Sequence, residues 1–390
     1  MSPKFFKVLY RSKKSQARVW VIHTDHGIIH TPAFVPVATK GTIKAIHPQF
    51  VKDIGVQVAF VNIYHLVAFP GIDLIRKTGG IHRFSKLPIP LMSDSGGFQV
   101  FSLAANKRKA KIRGGEEPLV LKISHAGVTF RSLYDGSIME FTPEKSITYQ
   151  VAICTDILMA FDECTFQPVT YEYAHKAVIR TEEWLKRSVV QFKNLTSSVL
   201  TKRFLYGIIQ GASFKDLRKQ STEYVLDQPV DGIAIGGVAV GESKKKVREQ
   251  VSFVSPYING DRPVHLLGVG QFDDILDLVG FGIDSFDCVE PTRLARMGQL
   301  YQLGLGPRTK NLKLQNFEKI DILKNIYKDN LEPVDKNCQC FVCQNFTKAY
   351  LHHLFCQKEI LAYVLANYHN LSITEKFFER IRQAIMNDRI

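Results

Sequence analysis

Residues 205–237 read LYGIIQGASFKDLRKQSTEYVLDQPVDGIAIGG. Leu205–Gln210 is a short apolar run that ends on an amide, and Gly232–Gly237 is another that ends on two glycines. Between them, Phe214–Gln228 carries apolar residues at amphipathic helical spacing. Apolar runs of this length without polar alternation suit strands buried on both faces, as in parallel sheets whose crossovers are helices. The stretch therefore reads as strand, helix, strand.

The unit recurs along the chain. Apolar runs occur at Ala33–Thr39, Val58–Asn62, Ile89–Asp94, Ile157–Asp162, Leu205–Gln210, Gly232–Gly237, Val264–Gly270 and Ser285–Pro291. Amphipathic patterns fall at Pro143–Thr155, Tyr171–Lys193, Phe214–Gln228, Glu242–Val254 and Phe272–Val279. Pro143–Thr155 opens with a capping Thr, a first-position Pro and a first-turn Glu. Eight strands alternating with helices predict an α/β fold, a (β/α)₈ TIM barrel. Val128–Phe141 reads as a hairpin turning at Asp135-Gly136, inserted after the third strand. Beyond the eighth strand, Tyr363–Asn367 and Thr374–Asn387 read as closing helices. The expected division is a barrel over 1–300 and a smaller unit over 301–390.

Lys+Arg (51) exceed Asp+Glu (37), for a net charge of +14 over 390 residues. An excess of this size favours an anionic partner, nucleic acid first. Basic runs lie at Arg11–Lys14, Lys107–Arg113 and Lys244–Arg248. No stretch approaches the roughly 20 apolar residues that cross a bilayer. No basic amphipathic helix with aromatic anchors stands out, which argues against a membrane role. The N-terminus is too short in its apolar run and too charged for a signal peptide, so a cytoplasmic protein is expected.

The ends of the runs are polar. Asn62, Asp94, Asp162, Gln210, Gly236-Gly237 and Asp287 all fall at or near the C-terminal ends of predicted strands. In barrel enzymes those ends converge on the active site, so residues far apart in sequence face one pocket. After Asp94 the chain continues Ser-Gly-Gly-Phe98. The two glycines are expected to clear space for a ligand near the backbone.

Cys338, Cys340 and Cys343 place three thiols within six residues. Three thiolates suit tetrahedral Zn²⁺, which needs one more ligand, with His352, His353 and His369 as candidates. Three Cys and one His leave no open position, so the zinc is expected to be structural. The remaining cysteines read as packing residues. His23, His26 and His30 read as ordinary polar positions without a carboxylate partner.

Several ordered motifs resemble the queuine tRNA-ribosyltransferases, or tRNA-guanine transglycosylases, of bacterial type. They are Ser93-Asp-Ser-Gly-Gly-Phe-Gln-Val-Phe-Ser-Leu103, Asn62-Ile-Tyr-His-Leu66, Phe161-Asp-Glu-Cys-Thr165, Gly207-Ile-Ile-Gln-Gly211, Gly236-Gly-Val-Ala-Val-Gly-Glu242 and Phe286-Asp-Cys-Val-Glu-Pro-Thr-Arg293, with the Cys triplet and His369-Asn-Leu371. The resemblance runs from about His26 to the C-terminus. It implies a barrel with a zinc-binding insertion after the eighth strand. It also implies exchange of the wobble guanine in GUN-anticodon tRNAs for a 7-deazaguanine, preQ1 or queuine, by a cytoplasmic homodimer. By motif match Asp287 resembles the nucleophile and Asp94 the general acid/base. Asp162, Gln210, Gly236 and Gly237 resemble the base-recognition set, with Cys164 beside them, and Phe98 the aromatic that stacks on the base. His369 matches the zinc ligand, one structural Zn²⁺ per chain.

The chemistry agrees with these residue types. Exchange at C1′ with retention takes two inversions, so a carboxylate nucleophile forms a covalent ribosyl intermediate. A second carboxyl group can protonate the leaving base and deprotonate the incoming one. A guanine edge offers two donors and an acceptor, which Asp162, Gln210 and the Gly237 N–H can serve. Some positions depart from the family pattern: Glu290 and Val238 each stand where Leu is expected, and Leu267 where a pocket-wall Met is expected. The stretch Gln302–Asp335 is longer and more basic than expected. Cys164 and Val240 resemble the preQ1-type pocket. Two other classes compete. A non-catalytic RNA-binding partner subunit of the same fold is expected to lack Asp94 or Asp287, and both are present. A metal-dependent barrel hydrolase needs a His cluster at the strand ends, and no such pattern occurs.

Overall fold

The computed structural model describes residues 5–98, 109–112, 115–197, 202–258, 260–303 and 317–390. Residues 99–103 of the Ser93 motif lie outside them, as do parts of the basic run 107–113 and of the stretch 302–335. Every apolar run contains a strand: β1 (Ala33–Pro36), β2 (Ala59–Val61), β3 (Leu91–Ser93), β4 (Ile157–Met159), β5 (Phe204–Ile209), β6 (Gly232–Ile235), β7 (Val264–Leu266) and β8 (Ser285–Cys288). They form one parallel sheet in the order β1-β8-β7-β6-β5-β4-β3-β2. A parallel bridge between Val37 and Phe60 brings β1 and β2, the two ends of the sheet, together. Strands β1 to β7 stop short of the polar or glycine residue that closed their runs, and those residues form the rim, whereas Asp287 lies within β8, in register with Val35.

Inward-facing Val35, Phe60, Met92, Met159, Tyr206, Ile208 and Ala234 fill the barrel in one apolar cluster. Ile22 and Ile29 join that cluster from a three-stranded antiparallel sheet, Phe6–Arg11, Arg18–Thr24 and Gly27–His30. Arg18 is fully buried there and meets Asp284, just before β8, at 2.7 Å. The helices pack outside the sheet. Thr142 caps Pro143–Ala152 by accepting from the Lys145 N–H. Tyr171–Thr196, Lys215–Asp227, Lys244–Val254 and Phe272–Gly280 follow the predicted patterns.

The hairpin after β3 is present, with Val128 opposite Phe141 and Arg131 opposite Ile138. Val120–Ser124 adds a third strand to it. The two expected closing helices are one, Ile360–Met386. The residues that interrupt its apolar pattern, Asn367, His369 and Asn370, are fully buried rather than exposed at a break. Asn370 accepts from the Tyr301 N–H and donates to the Pro291 and Gln299 carbonyls, so a polar side chain is satisfied mid-helix.

Candidate active site

The strand ends enclose a cavity of roughly 420 Å³. Asp94, Phe98, Asp162, Cys164, Gln210, Gly236, Gly237, Leu267 and Asp287 all line it. The structure thus brings these residues together from six strand ends.

Asp94 follows β3. Its Oδ1 accepts from the Ile63 N–H at 2.7 Å and the Gly96 N–H at 3.2 Å, and its Oδ2 from the Asn62 amide. Asn62 also caps helix Ile63–Ala68 by accepting from the His65 N–H. Burial pushes the Asp94 carboxyl up. The two backbone donors pull against it, the charges of Asp287 and Asp162 add to it, and the group titrates at about 7. Such a group both gives and takes a proton near neutrality.

The expected role of the two glycines is corrected. A Cβ on Gly96 would meet the Phe141 ring at 2.3 Å, and one on Gly97 the Asp162 carbonyl at 2.7 Å. The clearance is used by the protein's own hairpin and by β4's extension. It lets the loop carrying Asp94 sit against both.

Asp162 follows β4 and is buried. Gln210 Nε2 donates to its Oδ2 at 2.7 Å and Ser95 Oγ to its Oδ1 at 3.1 Å. Burial raises this carboxyl to about 6 against those two bonds. Among the described residues, the buried Gln210 Oε1 has no hydrogen-bond partner. A Cβ on Gly236 would fall 2.6 Å from Gln210 Nε2, and one on Gly237 2.3 Å from Oε1, so only glycines leave the amide its place. Gly237 also has φ +62°, where a side chain is strained. Arg218, missed in the sequence, holds this loop from behind. It is fully buried and donates to the Ala212, Gly236 and Gly237 carbonyls at 2.9, 2.6 and 2.8 Å. A lone Arg on an amphipathic helix gives no such signal.

Phe98 is 45% exposed beside Phe166, with ring centroids 5.8 Å apart. The Cys164 thiol is pushed well up by burial, so it acts as a neutral wall group. Asp287, on β8, accepts at Oδ1 from the Gly268 N–H at 2.8 Å and faces His265 Nε2 at 3.1 Å.

The rim carries cations outside the three basic runs. Burial, then the charges of Arg296, Lys40 and Arg293, hold the Lys44 ammonium below its ordinary value. Arg293 lines the cavity. By contrast Lys244 and Arg248 of the third run pair with Asp273, Asp274 and Asp277 on the next helix.

Cys338, Cys340, Cys343 and His369 form a second constellation, with one ligand atom from each within 4.8 Å of the others. His369 Nδ1 lies 3.5 Å from Cys340 Sγ and 3.3 Å from Cys343 Sγ. Tetrahedral Zn²⁺, with Zn–S near 2.3 Å and Zn–N near 2.0 Å, separates such atoms by about 3.5 Å. The donor set fits the ion. His369 Nε2 meets the Tyr301 carbonyl at 2.7 Å, which leaves Nδ1 to face the thiols. His352 instead faces the Ile322 carbonyl and Cys356.

His26 does have a carboxylate partner, contrary to the sequence reading. Its Nδ1 lies 2.8 Å from Asp156 Oδ1, and its ring stacks on His82 at 3.4 Å. Asp156 is 130 residues away in sequence, so only the fold reveals the pair.

The family model described as queuine tRNA-ribosyltransferase matches residues 13–390. A queuine tRNA-ribosyltransferase from Aquifex aeolicus is 42% identical over 390 aligned residues, 98% of this chain and 96% of the relative. One from Caldanaerobacter subterraneus subsp. tengcongensis is 40% identical over 386 residues, 99% of this chain and 94% of that relative. One from Thermodesulfovibrio yellowstonii is 41% identical over 384 residues, 98% and 92% respectively.

Proposed function

The chain belongs to the queuine tRNA-ribosyltransferase family, and from that premise we propose how it carries out base exchange. It is a tRNA-guanine transglycosylase of queuosine biosynthesis. The wobble guanine of a GUN-anticodon tRNA, flipped from the loop, enters the cavity. Asp287 attacks ribose C1′ while Asp94 protonates the departing guanine. Asp94 then takes the N9 proton of a 7-deazaguanine, which displaces Asp287. Asp162, Gln210 and the Gly236–Gly237 backbone read the base edge, and Phe98 stacks on it. Cys164 and Val240, on the cavity wall with Leu267, favour preQ1 over queuine.

The observation that carries this reading is one cavity joining two differently held carboxylates, Asp94 and Asp287, to the Asp162–Gln210 pair. The presence of both carboxylates disfavours a non-catalytic RNA-binding subunit. Cys338, Cys340, Cys343 and His369 would hold one structural Zn²⁺, which supplies a cross-link between the Cys loop and the final helix. The active unit is a homodimer working in the cytoplasm, where its tRNA is. Among the described residues no helix is long and apolar enough to cross a membrane.

Incubating the protein with an unmodified GUN-anticodon tRNA and, separately, labelled guanine, preQ1 or queuine tests the reading. Label should enter the wobble position from guanine and preQ1. No incorporation from any base would refute it.

A further inference from the structure

Beside Asp287 lies an imidazole to which the exchange chemistry above assigns no part. His265 is fully buried on β7, in register with Ser285 on β8. Its ring stacks on Phe60, with centroids 5.7 Å apart and planes at 13°. Nδ1 lies 2.8 Å from Ser285 Oγ, and Nε2 lies 3.1 Å from Asp287 Oδ1. A buried strand histidine is ordinarily a core residue that bonds whatever is near. Here both ring nitrogens are committed along one line, and the line ends on a carboxylate in the cavity. The Gly268 N–H reaches the same oxygen, Oδ1, at 2.8 Å. Among the described residues, no hydrogen bond reaches Oδ2.

We propose that His265 is a positioning residue for base exchange: Ser285 fixes its tautomer, and its Nε2–H holds Asp287 by Oδ1 so that Oδ2 faces ribose C1′. The proposal rests on Asp287 being the nucleophile. An ionised Asp287 can only accept, so the ring proton belongs on Nε2, and Nδ1 is left to accept from the Ser285 hydroxyl. With Oδ1 held at two points, the carboxylate cannot rotate.

In the first half-reaction Oδ2 forms a bond to C1′ as the C1′–N9 bond breaks. The electron pair stays on the base, which takes a proton from Asp94. Oδ1 becomes the carbonyl oxygen of the ribosyl ester. In the second half-reaction N9 of the incoming base gives its proton to Asp94 and bonds to C1′. The C1′–Oδ2 pair then returns to Asp287 as carboxylate. Donors bind a carboxylate more strongly than an ester carbonyl. His265 therefore also favours release of the adduct.

The test compares His265→Leu, which has no donor, with His265→Gln, whose amide can reach Oδ1. Asp287→Ala serves as control. The Leu variant should lose tenfold to hundredfold in kcat, about what one hydrogen bond to a charged group is worth. Its KM for tRNA should stay within about twofold, and its trapped adduct should decay more slowly when guanine is added. The Gln variant should recover most of both losses. Equal behaviour of the two variants would overturn the proposal. Ser285→Ala leaves the imidazole in place and should lower kcat severalfold at unchanged KM; an unchanged kcat there would overturn the tautomer lock. An adduct that survives in Asp287→Ala would instead refute the nucleophile assignment, a separate failure.

Discussion

Gln210 donates its side-chain amide to Asp162 Oδ2 across 2.7 Å, tying the ends of β5 and β4 into one recognition unit. Both residues line the cavity, where Asp162 offers a carboxylate acceptor, and among the described residues the buried Gln210 Oε1 has no hydrogen-bond partner. A guanine-like edge carries the matching donors. Asp162→Asn would turn an acceptor into a donor facing the donor of Gln210. We expect KM for the free base to rise by about tenfold to hundredfold, the value of a hydrogen bond to a charged group. Affinity for tRNA should barely change. Titrating the base at saturating tRNA measures this, and an unaltered KM would remove Asp162 from base recognition.

Asp94 has a pH signature. Its folded value is about 7, against 3.8 for the model carboxyl, so the folded state binds its proton more tightly. The stability this group contributes is present below 3.8 and lost as pH rises through 7. Asp94→Asn does not titrate there. The stability of the variant relative to wild type should therefore rise between pH 4 and pH 8, by on the order of a few kcal/mol. Exchange should fall at least about a hundredfold in the same variant, since the proton carrier is gone. Thermal melts across that pH range read the first effect; a difference flat with pH would place Asp94 in a wetter setting.

The rim cations should dominate tRNA binding. Lys44→Ala and Arg296→Ala should each weaken binding and reduce the slope of log affinity against log salt by roughly one. Lys244→Ala should do neither, because its ammonium already faces Asp273 and Asp274. Equal losses from all three would mean a diffuse positive surface holds the RNA.

Cys340→Ser should release the metal and loosen the C-terminal region. Cys340 and Cys343 reach His369 on the helix Ile360–Met386, so the ion would bridge the Cys loop to that helix. Loss of a structural zinc removes folding free energy outright. Metal analysis of the wild-type protein should give one zinc per chain, and a metal-free, equally stable wild type would contradict the site.

Much of this was legible because parallel strands write themselves as apolar runs and a barrel brings their ends together. Asp94 and Asp287 are 193 positions apart, yet both could be placed at one rim from strand order alone. What escaped depended on distance in the chain. The His26–Asp156 pair spans 130 residues, and nothing local to either residue announces it. Arg218 sits among ordinary helix residues, and its role appears only when the Gly236 and Gly237 carbonyls lie over it. The single final helix was split because Asn367, His369 and Asn370 look like a break until their buried partners are seen. The run Lys244–Arg248 depends on the fold in the same way, since Lys244 and Arg248 meet acids on the next helix. Charge density along the chain does not tell which lysines meet acids on a neighbouring helix.

Whether Asp287 bonds to ribose can be read by denaturing the protein during turnover with a GUN-anticodon tRNA, digesting it, and mapping the ribosylated peptide by mass spectrometry. A single ribosyl adduct on Asp287, absent from Asp287→Ala, is expected. An adduct on another residue, or one that persists in that variant, would contradict it.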